Sequence, residues 1–216
     1  MTATNLFDSI VVAGKALETP SLDLLRSLIV AAKGGQCAID FVIERAMRDA
    51  GCVVERIDYD PRAVPLVDEF ASGPVMSGST ETCLVGRLIG KGGGRSLLLF
   101  AHPDPEVSEA EAGWQTDPFE PALRDGRLYG WGVADDLAGI AMLVQGICLL
   151  QEAGFRPRSS LVLASAPSKK HRRGIAAALH HGVSADAAIY LHPAESGRGL
   201  DEIKAYAPGQ LEFMIT

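Results

Sequence analysis

The sequence predicts an α/β fold in which a mostly parallel or mixed central sheet lies between helices, and three observations carry that expectation. Leu97-Leu98-Leu99-Phe100-Ala101 and Leu161-Val162-Leu163-Ala164 are short unbroken apolar runs, the pattern of strands buried on both faces. Before and between them, apolar residues recur at helical spacing. The first run ends in His102-Pro103-Asp104, and open α/β sheets place their chemistry at the carboxyl ends of strands.

The elements follow in order. Thr19-Pro20 reads as a helix cap with proline at the first helical position, followed by Leu22, Leu25, Leu28 and Ile29, and Gly34-Gly35 ends that helix. A second helix runs from about residue 36 to 50, with Ile39, Val42, Ile43, Ala46 and Met47 on one face and Gly51 as its stop. Val53-Val54-Glu55-Arg56-Ile57 reads as a strand, and residues 60–80, with Pro61, Pro65 and Pro74, as a loop. A strand over 82–89 is joined to the Leu97 strand by Gly90-Lys91-Gly92-Gly93-Gly94. This link lacks the Gly-Lys-Ser/Thr ending and following helix of a phosphate-binding loop, so it reads as a simple connection. Glu106, Glu109 and Glu111 read as a solvated loop, and Asp125-Gly126 as a hairpin turn. From Asp136 to Ala153 a broad apolar face predicts a helix packed on the sheet and closed by Gly154. A short helix over 175–179 places His180 and His181 near its end, where capping or surface roles are expected. Residues 186–191 read as a further strand that delivers His192-Pro193-Ala194-Glu195.

The 216 residues suffice for one domain or two small ones with a sizeable core. Hydrophobic residues at 47% and charged residues at 22% are globular values, and a net charge of -7 argues against a general nucleic-acid or anionic-membrane binder. Cys37, Cys52, Cys83 and Cys148 are scattered without a C-x-x-C pair and read as thiols of a reducing compartment. No stretch is expected to reach the ~18 apolar residues of a membrane span. The brief Ile10-Val11-Val12-Ala13 run does not read as a signal peptide, so a cytoplasmic protein is expected. There is no internal repeat.

The stretch Gly130-Trp131-Gly132-Val133-Ala134-Asp135-Asp136 organises the rest. A dinucleotide loop would need a third glycine where Asp135 stands, and paired carboxylates there would repel a pyrophosphate. Two readings remain: Asp135 and Asp136 cap the following helix, or a tight loop delivers them to a site where a carboxylate holds a cation.

His102-x-Asp104, then Trp114-x-x-Asp117-Pro118-Phe119, then Asp125-Gly126-Arg127-Leu128-Tyr129-Gly130-x-Gly132-Val133-Ala134-Asp135-Asp136, resembles the co-catalytic zinc hydrolases that include aminoacylase, acetylornithine deacetylase, succinyl-diaminopimelate desuccinylase and carboxypeptidase G. The resemblance runs in order through some sixty consecutive residues. It implies a zinc-peptidase-like three-layer sandwich. It also implies one or two zinc ions, with cobalt or manganese as substitutes, bound by His102 and by a bridging Asp135 while Asp104 steadies the site. In some branches of the family a histidine at the position of His192 binds the second metal, and Glu195 is a weaker candidate. The resemblance further implies that residues 1–206 belong to the first part of a catalytic domain. It makes 207–216 the start of a lid and dimerisation domain, through which a homodimer would form.

One departure matters. Where the family carries two successive glutamates, the general base and a metal ligand, this chain has Lys169 and Lys170. An ammonium about 5 Å from a zinc dication, at an effective dielectric near 20, is repelled by roughly 6 to 7 kcal/mol. Either a desolvated Lys169 serves as base, or the loop turns outward, or Lys169 to Arg173 hold an anionic group. Two functional expectations follow: a metal-dependent hydrolase of amide bonds in small N-acyl amino acids or peptides, and a silent relative that binds a small anionic ligand or a partner.

Overall fold

The computed structural model describes residues 3–65, 79–104, 113–167, 172–192 and 205. Its elements follow in the order α1 (Ala3–Ala16), α2 (Glu18–Ala32), α3 (Gln36–Asp49), β1 (Val53–Tyr59), β2 (Glu81–Leu88), β3 (Leu97–Ala101), β4 (Ala122–Arg124), β5 (Arg127–Tyr129), a wide helical turn (Val133–Leu137), α4 (Ala138–Glu152), β6 (Leu161–Ser165), α5 (Arg173–His180) and β7 (Ala187–Tyr190). The helix α1 has no counterpart in the sequence reading, which assigned no element before residue 19. In contrast, the hairpin at Asp125-Gly126 forms as expected, with both residues at positive φ.

The strand order in the main sheet is β1-β2-β6-β3-β7. β2 pairs antiparallel with β1 and β6, while β3 pairs parallel with β6 and β7, so the sheet is mixed. Alternate residues of its strands feed two cores. Leu84, Leu161 and Leu163 pack with Leu28, Ile29, Ile39, Ile43 and Ile147 from α2, α3 and α4. Cys83, Val85, Val162 and Ala164 pack with Ala176, Ala177 and Ala178 of α5 on the opposite face. That alternation is the physical basis of the three layers, because the inner strands β2, β3 and β6 are apolar on both sides.

The glycine-rich link is a simple connection as expected, although the strands it joins are not neighbours, since β6 lies between β2 and β3. It crosses the segment leading into β6, where Lys91 and Gly92 donate their amides to the carbonyls of Pro157 and Arg158, and a Cβ on Gly90 would run into the Ser159 backbone. The segment Val133–Glu152 is also long and apolar enough by composition to cross a membrane, with mean hydropathy 1.7, although no such stretch was expected. Here Ile140, Leu143, Val144 and Ile147 are buried against α2 and the sheet, as befits a core helix.

Candidate metal centre

β3 and β7 run parallel with Phe100 opposite Tyr190, and the ladder continues as Leu191 donates its amide to the Phe100 carbonyl at 2.8 Å. The two strands therefore release His102 and His192 side by side. Asp135 reaches them from the turn before α4: its Oδ1 lies 2.9 Å from Nε2 of His102 and 3.1 Å from Nε2 of His192. The three donor atoms all lie within 4.8 Å of one another, and this is the metal-competent group among the described residues. The imidazole of His102 is 2% exposed, whereas His192 and Asp135 are partly open to solvent.

The donor set fits a divalent cation such as zinc. Bonds of about 2.0–2.1 Å to imidazole nitrogen and carboxylate oxygen, arranged tetrahedrally, put neighbouring donors roughly 3.3 Å apart, close to the spacing around Asp135. Asp104 Oδ1 stands 3.6 Å from Nδ1 of His102, on the side away from Asp135, where a carboxylate fixes the orientation of an imidazole. Burial opposes a positive charge on His102, but the carboxylates of Asp104, Asp136 and Asp135 outweigh it and hold the imidazole pKa above its ordinary value.

The neighbouring carboxylates have different fates. Neither is helical: φ and ψ are -143° and 85° at Asp135 and -142° and 38° at Asp136, and the α-helix starts only at Ala138. Asp136 turns inward, fully buried, and its Oδ1 accepts the Gly139 amide at 3.1 Å at the first turn of α4. Its Oδ2 makes no hydrogen bond, and burial above all pushes its carboxyl pKa up to about 7. Thus the capping reading holds for Asp136, while Asp135 faces the histidines. Gly139 is required here, because a Cβ would meet the Leu191 carbonyl and the Asp136 carboxylate.

Sequence reasoning missed Tyr190. Its ring stacks on Phe100 with centroids 4.7 Å apart and planes 6° apart, and it lies 5.0 Å from the His192 ring and 6.4 Å from that of His102. Burial, then the charges of Asp136, Asp135 and Asp104, raise its phenol pKa. Its place two residues before His192, on the same strand face, was the available signal. His180 and His181 lie away from this group, with ring nitrogens 2.9 Å from the Pro65 and Ala177 carbonyls. Lys169, Lys170, His171, Glu195 and the segment 207–216 lie outside the described residues.

A three-layer α/β sandwich with a His/Asp/His group at its parallel strand ends has the form of a metallopeptidase catalytic domain. The chain belongs to Peptidase family M20/M25/M40, whose model matches residues 98–211. It is 35% identical over 150 residues to the succinyl-diaminopimelate desuccinylase of Gluconacetobacter diazotrophicus, covering 67% of this chain and 34% of that protein. It is 38% identical over 77 residues to the Beta-Ala-Xaa dipeptidase of Lactobacillus delbrueckii subsp. lactis, covering 35% of this chain and 16% of that protein. The fold is shared with the M20 family metallo-carboxypeptidase of Sulfolobus solfataricus at a TM-score of 0.55 and 14% identity, over 92% of this chain and 39% of that one. The chain thus spans about a third or less of the curated relatives it matches.

Proposed function

We propose that the protein is a metal-dependent hydrolase that cleaves an amide bond of a small N-acyl amino acid or peptide, with His102, Asp135 and His192 as ligands of zinc, or of cobalt or manganese in its place. The observation that carries this reading is the convergence of the three donor atoms from two strand ends and a loop. The desuccinylase and dipeptidase names of the relatives support the bond type. When bound, the cation supplies Lewis acidity and acidifies a water near neutral pH. Asp104 orients His102, and Asp136 anchors the turn that carries Asp135. Lys169 in its neutral form, Glu195 or a group outside this chain would serve as the general base. A cytoplasmic location is part of the reading, and the four free thiols agree with it. So is a homodimer formed through a domain that 207–216 would begin.

The lysines at 169 and 170 favour a second reading, a catalytically silent relative that holds a small anionic ligand or a partner through Lys169 to Arg172; Arg173 drops out of the expected cluster, because its side chain is buried and donates Nη1 to the Val64 carbonyl. Elemental analysis of the purified full-length protein, with turnover measured on N-acyl amino acids and dipeptides in zinc, cobalt or manganese, separates the two. The hydrolase carries at least about one metal per chain and turns over, and Asp135→Ala abolishes both. A metal-free parent without turnover, whose anion affinity falls on charge reversal of the lysines, is the silent relative.

A further inference from the structure

Phe100 and Tyr190 are register partners on β3 and β7, and each stands two residues before a histidine of the centre. Strand side chains alternate between faces, so each aromatic ring shares its histidine's side of the sheet. The stack is close and almost parallel, at 4.7 Å and 6°, and the tilted imidazoles of His102 and His192 follow it with centroids 5.6 Å apart. Tyr190 is nearer to His192, at 5.0 Å, than to His102, at 6.4 Å, so one ring touches the neighbourhood of both. His102 is also fixed by burial and by Asp104, whereas among the described residues β7 has a strand neighbour on one side only, and His192 is released from it one residue after the last ladder contact. His192 therefore depends more on what lies beneath its ring.

We propose that Tyr190 is a positioning residue: its ring, braced on Phe100, sets the separation and tilt of the His192 and His102 imidazoles and thereby the affinity of the centre for a divalent cation. The inference rests on the metal reading above. Flatness and bulk do the positioning, so the hydroxyl is dispensable. Tyr190 is 44% exposed, on a strand with one strand neighbour among the described residues, which makes its removal a small perturbation of the fold.

The test uses the full-length protein and zinc alone, with affinity measured by competition against a chromophoric chelator and ligand geometry followed in the visible spectrum of the cobalt-substituted protein. Tyr190→Phe should bind zinc within about twofold of the parent, whereas Tyr190→Ala and Tyr190→Leu should bind about tenfold or more weakly, as for lost outer-shell partners of a metal ligand. Both weak variants should show an altered cobalt spectrum while melting in chelator close to the parent. Parent-like zinc affinity in Tyr190→Ala and Tyr190→Leu overturns the proposal, and so does a loss in Tyr190→Phe equal to theirs. Asp135→Ala keeps the two failures apart. If it binds zinc as the parent does, or the parent binds none, the metal reading falls and this inference with it. If it loses zinc while the Tyr190 variants do not, this inference alone falls.

Discussion

At the carboxyl ends of β3 and β7, His102 and His192 approach Asp135 to 2.9 and 3.1 Å. β6 lies parallel on the other side of β3 and runs through Ser165, Ala166 and Pro167 toward Lys169 and Lys170. Its exit is held just as firmly as the others. Ala166 donates its amide to the Ala101 carbonyl at 2.9 Å, and α5 begins so close that a Cβ on Gly174 would strike Pro167. Parallel pairing therefore presents three strand ends to one edge of the sheet, and the side chains that follow decide which of them suit a cation. Two ends supply imidazoles, whereas the third leads into ammonium groups.

The largest test of that contrast is to reverse the charge at the third end. If the two ammonium groups stand about 5 Å from the centre, Lys169→Glu with Lys170→Glu would remove a repulsion of roughly 6 to 7 kcal/mol per lysine on a bound dication. The double variant is expected to hold about one further zinc per chain by elemental analysis, and an unchanged count would mean that the lysines point away from the centre. A middle-sized effect is expected at the two histidine-bearing ends. Gly139→Ala drives a methyl group into the Leu191 carbonyl, just before His192, and should lower stability to urea by about 1–3 kcal/mol. Equal stability of that variant would show that the β7 exit and the Asp136 carboxylate yield without cost.

A third test reads the centre by titration. In metal-free protein the folded pKa of Asp136 is about 7, above its unfolded value, and that of His102 is also raised. The folded state then binds protons more tightly in both cases, so their contribution is complete at low pH. It fades as pH rises, from about 4 toward 7 for Asp136 and above about 6.5 for His102. Thermal melts in chelator should therefore fall as pH rises across this range, and added zinc should raise the melting temperature more at pH ~8 than at pH ~5, because the metal displaces protons. A chelated protein whose melting temperature climbs between these pH values would contradict the assigned shifts.

Much of the fold was legible because its signals are local. The apolar runs at 97–101 and 161–164, the Asp125-Gly126 turn and the stop glycines Gly51 and Gly154 each act through backbone sterics or burial within a few residues. His102 and His192 stood out at the ends of strand-like runs and Asp135 in the glycine-bearing loop before a helix, but their roles as ligands came from the family resemblance. Which strands flank the glycine-rich link could not be read from its residues, because strand order depends on β6, which arrives some sixty residues later. Asp135 and Asp136 could not be told apart by composition, since the difference between a buried cap and a partly open ligand lies in which way one turn rotates.

By itself, then, the sequence determined the strand and helix segments, for which period and residue type are sufficient; the metal candidates and the lysines at the place of two acids became legible through the family resemblance of the 102–136 stretch. Only the tertiary structure decided that β6 inserts between β2 and β3, that Asp136 is swallowed by the core, and that Tyr190 lies beneath the imidazoles. Those outcomes depend on packing between segments far apart in the chain, where the free energy of burial is shared among many partners and no single stretch of sequence contains it.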